Sequence, residues 1–231
     1  MKYHIKKINQ LFHTDSFMQI NYLRGFKYID KAGEIVNSFF LGNAEPLYQM
    51  TQRDLLIKYS SYDSRDYRIS VNNIWSHDSS PKNLGDLEND FLKKSIEILS
   101  ILGTNEIVRV GWRNYFVYEF QDLKDKNTIF SKFLPIKDSD FLTIVFKKSI
   151  KNVNCKFFIK GAENAKKKTP AIIFDIDCFK SFNSSSIKPK EISGNLKEIK
   201  EIYYSDIMLD VINNVLKINI NPGRHNNIDH E

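Results

Sequence analysis

Asn105–Phe120 reads NEIVRVGWRNYFVYEF, with Val108, Val110, Trp112, Phe116 and Tyr118 falling on one side of an extended chain and Arg109, Gly111 and Arg113 on the other. A period of two marks a strand with one buried face, so the first set is expected to point inward. The run is long for a single strand and can end one half of the molecule while opening the next. On its N-terminal side, SFMQINYL (16–23) reads as a strand. The stretch GFKYIDKAGEIVNSFFLG (25–42) then spaces Phe26, Ile29, Ala32, Ile35, Val36 and Phe39 as a helix does. LYQMTQRDLLIKYSS (47–61) and RDYRISVNNIWSH (65–77) are two β-rich runs joined by a polar turn, the pattern of one hairpin. Leu84, Leu87, Phe91, Ile98 and Leu102 form a helical stripe with Asn83 or Asp86 as its N-terminal cap and Gly103 as its C-terminal cap. The order is β-α-β-β-α-β.

The second half repeats that order loosely: a helix over Leu123–Phe133, strands at FLTIVFKK (141–148), VNCKFFIK (153–160) and AIIFDID (171–177), then a closing helix. In that helix Leu196, Ile199, Tyr203, Ile207, Val211 and Val215 share a stripe. The expectation is an α+β fold of two related βαββαβ-like, ferredoxin-like halves sharing a core. Residues 1–112 form the first half; residues 113–220 form the second, with a basic hairpin and a long C-terminal helix. The polar tail 221–231 is expected to be disordered.

Composition sets the limits. The chain has 231 residues, 42% of them hydrophobic and 13% aromatic, which is material for a sizeable core. No uncharged apolar run approaches the roughly 18 residues a membrane-spanning helix needs, and the N-terminus lacks a signal-peptide core, so a cytoplasmic chain with no membrane partner is expected. Cys155 and Cys178 sit among apolar neighbours and read as buried free thiols. The net charge is +6, and it is unevenly spread. Between Lys147 and Lys168 stand eight lysines and one acid, Glu163, a local +7 that leaves the remainder of the chain at −1.

Two aspartates interrupt the apolar strand PAIIFDIDCFKSF (170–182). Alternation puts Asp175 and Asp177 on one face with Ile173 and Phe179, opposite Ile172, Phe174, Ile176 and Cys178. Two carboxylates on one face suit a divalent cation, and DIDCFKSFN (175–183) resembles the metal-binding strand of diguanylate-cyclase-type palm domains. Those domains complete the site with a glycine- and acid-rich hairpin some forty residues later, where this chain has VINNVLKINI. A comparison with haloacid-dehalogenase phosphatases stops similarly, because no Gly-Thr follows Asp177. The competing reading is a structural charge network in which Asp175 and Asp177 pair with Lys156 and Lys160 of a neighbouring strand, or with Arg109 and Arg113, whose planar guanidinium suits a carboxylate better. On that reading there is no catalytic residue, no metal and no cofactor. On the other, the chain is a metal-dependent enzyme acting on nucleotides or nucleic acid.

IVRVGWRNYF, AIIFDIDCF and the closing DIMLDVINNVL together resemble an uncharacterised, sporadically distributed prokaryotic family. Its members carry an Arg-Val-Gly-x-Arg strand, an Asp-Ile-Asp strand and a closing helix. Arg109, Gly111, Arg113, Asp175 and Asp177 match; Trp112 and Asn114 depart. The resemblance spans about half the chain and implies a two-part α+β fold without established activity. It also implies a patchy occurrence of the kind seen for accessory components of defence or mobile-element systems. A non-enzymatic accessory subunit working with other protein subunits is the expectation that follows.

The binding surface expected for such a subunit is the lysine-rich segment. Lys147, Lys148 and Lys151 end one strand and enter its turn. Lys156 and Lys160 flank Phe158 on one face of the partner strand, and Lys166, Lys167 and Lys168 follow in a loop. Cations interleaved with an aromatic suit a phosphate-rich strand of DNA or RNA, or another acidic partner. The plainer alternative is a solvated hairpin whose lysines confer solubility. His4, His13, His77, His225 and His230 form no metal-ligand array, and no nucleophile elbow or phosphate-cradling glycine loop is present.

Overall fold

The computed structural model describes residues 12–23, 26–41, 44–60, 64–79, 81, 84–119, 143–163, 169–182, 185–203 and 214. The expected helix at Leu123–Phe133, Asn83, Lys166, Lys167 and Lys168, the later stripe residues Ile207, Val211 and Val215, and the 221–231 tail lie outside the described residues.

The elements are β1 (Phe12–Tyr22), α1 (Ala32–Asn37), β2 (Leu47–Met50), β3 (Asp54–Lys58), β4 (Arg65–Ser70), β5 (Asn73–Asp78), α2 (Leu84–Leu102), β6 (Ile107–Glu119), β7 (Thr143–Ile150), β8 (Val153–Glu163), β9 (Pro170–Ser181) and α3 (Ile192–Tyr203). The strands form one nine-stranded sheet in the order β2-β3-β4-β5-β1-β6-β9-β8-β7. It is built on antiparallel pairs such as β1 with β5, and β7 with β8. This overturns the expected pair of ferredoxin-like halves. The reason is local: each of the two β-rich runs that read as single strands contains its own reversal. In the first, Thr51 accepts from the amides of Arg53 and Asp54 at 3.1 Å and donates to the Asp54 carboxylate at 2.8 Å, a polar turn that folds β2 back on β3. In the second, Ser70–Asn73 turns β4 onto β5, with Ile69 opposite Ile74. The supposed hairpin is therefore a four-stranded meander, β2 to β5.

The chain falls into two compact units, one of residues 15–113 and 178–199, the other of residues 1–14, 114–177 and 200–231. In the first, Met18, Ile20, Leu55, Ile57, Tyr67, Ile69 and Ile74 are buried at alternate strand positions, together with Ile35, Val36 and Phe39 and the stripe Leu87, Phe91, Ile98, Leu99 and Leu102 of α2. The expected C-cap is present: Gly103 has φ +63, and the Thr104 amide donates to the Leu99 carbonyl at 3.1 Å. Lys94, also buried, donates to the Ser38 carbonyl and lies 4.9 Å over the Phe39 ring, tying α2 to the end of α1. In the second unit, Val153, Cys155, Phe157 and Ile159 of β8 and Ile172, Phe174 and Ile176 of β9 are buried, and the Tyr203 hydroxyl donates to the Ile176 carbonyl at 2.6 Å.

On β6, Val110, Trp112 and Phe116 are buried as expected; Val108 and Tyr118 are half-exposed, and Asn114 is buried. The Trp112 indole N–H donates to Ser16 Oγ at 2.7 Å, which satisfies both polar groups in the core. Cys155 and Cys178 are buried free thiols. Among the described residues no helix is long and apolar enough to cross a membrane.

Candidate functional site

β7 and β8 join through the shortest of hairpin loops. Ile150 pairs with Val153, leaving Lys151 and Asn152 as the two central residues, at φ +46 and +65. Two consecutive left-handed residues are the mark of a type I′ turn, whose twist matches that of the strands; Asn adopts this conformation readily, Lys less so. The loop fixes the register. Thr143 stands opposite Lys160, Val145 opposite Phe158, Lys147 opposite Lys156 and Ser149 opposite Asn154.

Burial separates the two faces of this hairpin. Val153, Cys155, Phe157 and Ile159 are buried, with Phe146 stacked on Phe157 at 4.5 Å. The other face carries Lys147 and Lys160, both exposed, Lys156 and Phe158, both half-buried, and Val145, 51% exposed. The Lys156 ammonium sits 4.5 Å over the Phe158 ring. Five of the eight expected lysines are thus placed on one hairpin, with three of them and the aromatic on a single face. Lys148 lies opposite Cys155 at the edge, and Lys151 caps the turn.

Asp175 and Asp177 alternate with buried neighbours along β9 and are half-buried on one face, as the sequence indicates. In sheet order β9 stands between β8 and β6, the strands that carry their candidate partners. Among the described residues no cluster of three or more His, Cys, Asp or Glu side chains is arranged to hold a metal ion. Arg109 donates to Gln19 Oε1 at 3.3 Å and lies 4.4 Å over the ring of Phe179. Gly111 makes room for that pair, since a Cβ there would come within 3.2 Å of Phe179 Cβ and 3.5 Å of an Arg109 guanidinium nitrogen. The Gly in Arg-Val-Gly-Trp-Arg therefore has a packing role.

Two clusters have no counterpart in the sequence reading. His77 Nε2 lies 2.9 Å from Asp15, its Nδ1 3.4 Å from Asp66, and its ring stacks on Phe17 at 4.2 Å. The hydrogen bond to Asp66 raises the His77 pKa, burial opposes it, and Asp15 adds to the rise. A carboxylate at each nitrogen favours the protonated form of the imidazole. The second cluster is centred on Asp90. It accepts from Tyr59 at 2.8 Å, Tyr67 at 2.6 Å and Arg65 at 2.9 Å, while Arg65 also reaches Asp78 at 3.3 Å. Burial, with the Asp90 carboxylate next, drives the Tyr67 hydroxyl pKa upward, so Tyr67 keeps its proton and the network anchors α2 to the sheet. Its members are widely separated in sequence, and no local motif signals them.

Comparison of the chain with protein-family models finds no match, and comparison with curated proteins finds no significant similarity.

Proposed function

We propose that the chain is a non-enzymatic accessory subunit of a larger complex, contacting nucleic acid through the open face of the β7–β8 hairpin. The observation that carries this reading is the placement of Lys156 and Lys160. Lysines on an edge strand such as β7 can be explained as protection against unwanted strand pairing. Those on β8, which has a neighbour on each side, cannot. The register moreover sets Lys147 directly across from Lys156. Like charges opposed in this way are destabilising, and a bound phosphate would relieve the repulsion. Phe158 lies on the same face with the Lys156 ammonium over its ring, so cation and aromatic stand together on the proposed contact surface. Asp175 and Asp177, on the neighbouring β9, bound this surface on one side, so phosphates are expected toward β7.

The test is titration of a labelled single-stranded oligonucleotide at several salt concentrations. The affinity should fall with a slope of about −0.7 per phosphate contact, and Lys147→Glu, Lys156→Glu and Lys160→Glu together should flatten that slope by about two units. Circular dichroism should show an intact fold, because these are exposed or half-buried surface positions. Absence of binding at low salt, or a slope unchanged by the triple substitution, rejects the nucleic-acid reading.

A further inference from the structure

The opposite edge of the sheet is built differently. Among the described residues β2 pairs only with β3, and all four of its residues are exposed, Leu47 by 51%, Tyr48 by 64% and Met50 by 42%. Five of the nine exposed large hydrophobics among the described residues lie between Phe40 and Met50. The strand has no charge, proline or glycine, so its shortness, four residues, is the one protective feature within it against pairing with another edge. We infer that β2 is a self-association edge, on which a second copy of this chain adds antiparallel across a two-fold axis to extend the sheet.

Three features fit a second copy. First, a two-fold axis normal to the sheet keeps each face on its own side, so paired residues must share a face. A register centred on Gln49 sets Tyr48 against Met50 of the other copy, twice, an aromatic–thioether contact. Second, Tyr48 and Met50 stand opposite Ile57 and Leu55 of β3, both fully buried. Their side chains continue the core-facing layer past the point where this chain covers it, and a second copy extends that layer. Third, charge is complementary at the ends. Exposed Glu45 precedes β2 and exposed Arg53 follows it. Antiparallel pairing brings the Glu45 end of each copy beside the Arg53 end of the other. This inference uses nothing from the basic hairpin and stands whether or not that surface binds nucleic acid.

Sedimentation of the full chain across a concentration series tests it, with dimer expected at micromolar protein, the range typical of small interfaces. Tyr48→Lys with Met50→Lys should weaken the dimer about tenfold or more, by like charges brought together at the seam. Glu45→Arg or Arg53→Glu alone should weaken it, and the two combined should restore it. Because both native thiols are buried, Gln49→Cys introduces an accessible one, which should form a disulfide-linked dimer under mild oxidation, since directly paired strand positions lie at disulfide distance. Exposed Ser79→Cys is the control and should not cross-link. A chain that stays monomeric throughout, that dimerises unaffected by the lysine pair, or that binds a different protein at β2 while remaining monomeric, overturns the inference.

Discussion

β7 ends the sheet with Lys147 and Lys148 among its exposed residues, and β2 ends it with Leu47, Tyr48, Gln49 and Met50 and no charge at all. Among the described residues neither strand has a neighbour on its outer side, and only one of them carries the lysines that discourage another strand from docking. The difference teaches that the positive charge is local to one hairpin and that the uncharged edge is left open to pairing. It also separates the two partners proposed above, a polyanion at the hairpin and a strand at β2.

The largest effect expected is on the core of the unit that bears β2. Trp112→Ala removes a buried indole and its bond to Ser16, and should cost about 3–5 kcal/mol in urea unfolding. It should leave the salt slope and the self-association of the folded protein unchanged; a change in either would show that the two edges are not independent.

Next in size is a conversion of one edge into the other. Lys147→Val with Lys148→Thr gives β7 the uncharged character of β2, and light scattering should then report a new, concentration-dependent association. If scattering stays flat, the lysines are not what keeps β7 unpaired.

Lys151→Gly is a smaller and two-signed change. It relieves a side chain held at φ +46 and should stabilise the chain by about 0.5–1 kcal/mol. It should also remove at most one phosphate contact, about 0.7 from the salt slope. A loss of stability would mean that the Lys151 side chain does more than tolerate its turn.

The smallest effect is on the unit that bears β2. A folded-state pKa raised above the ordinary 6.5 means that the folded form holds the His77 proton more tightly than the unfolded form. The stabilisation is complete below about 6.5 and fades as the pH climbs through the folded-state value. Hydrogen exchange of β1 and β5 should therefore quicken over that window more than its intrinsic rate does, and His77→Gln should abolish the excess. An unchanged profile in the variant would remove His77 from the account.

Much of the candidate site is legible in the sequence because it is written at short range. The alternation in VNCKFFIK separates Lys156, Phe158 and Lys160 from Cys155, Phe157 and Ile159, and the strand faces observed are those. The same holds for Asp175 and Asp177 against Ile176 and Cys178, for Val110, Trp112 and Phe116, and for the α2 stripe closed by Gly103. The cross-strand pair Lys147–Lys156 also follows once the turn is known, because a two-residue loop leaves a single register. Missed were the reversals at Thr51–Asp54 and Ser70–Asn73, which lack the Asn-Gly or Asp-Gly signal of a tight hairpin and divide two runs into four strands.

By itself the sequence determined which faces of β6, β8 and β9 are buried, where α2 ends, that both cysteines are buried, and that the positive charge gathers in one segment; each follows from periodicity or composition within a few residues. The tertiary structure alone decided that the strands join in one nine-stranded sheet, that β2 and β7 are its edges, and that His77 meets Asp15, 62 residues away. Strand order and such meetings depend on which backbone edges find each other across long stretches of chain, a choice made by the packing of the whole and not encoded in any local pattern.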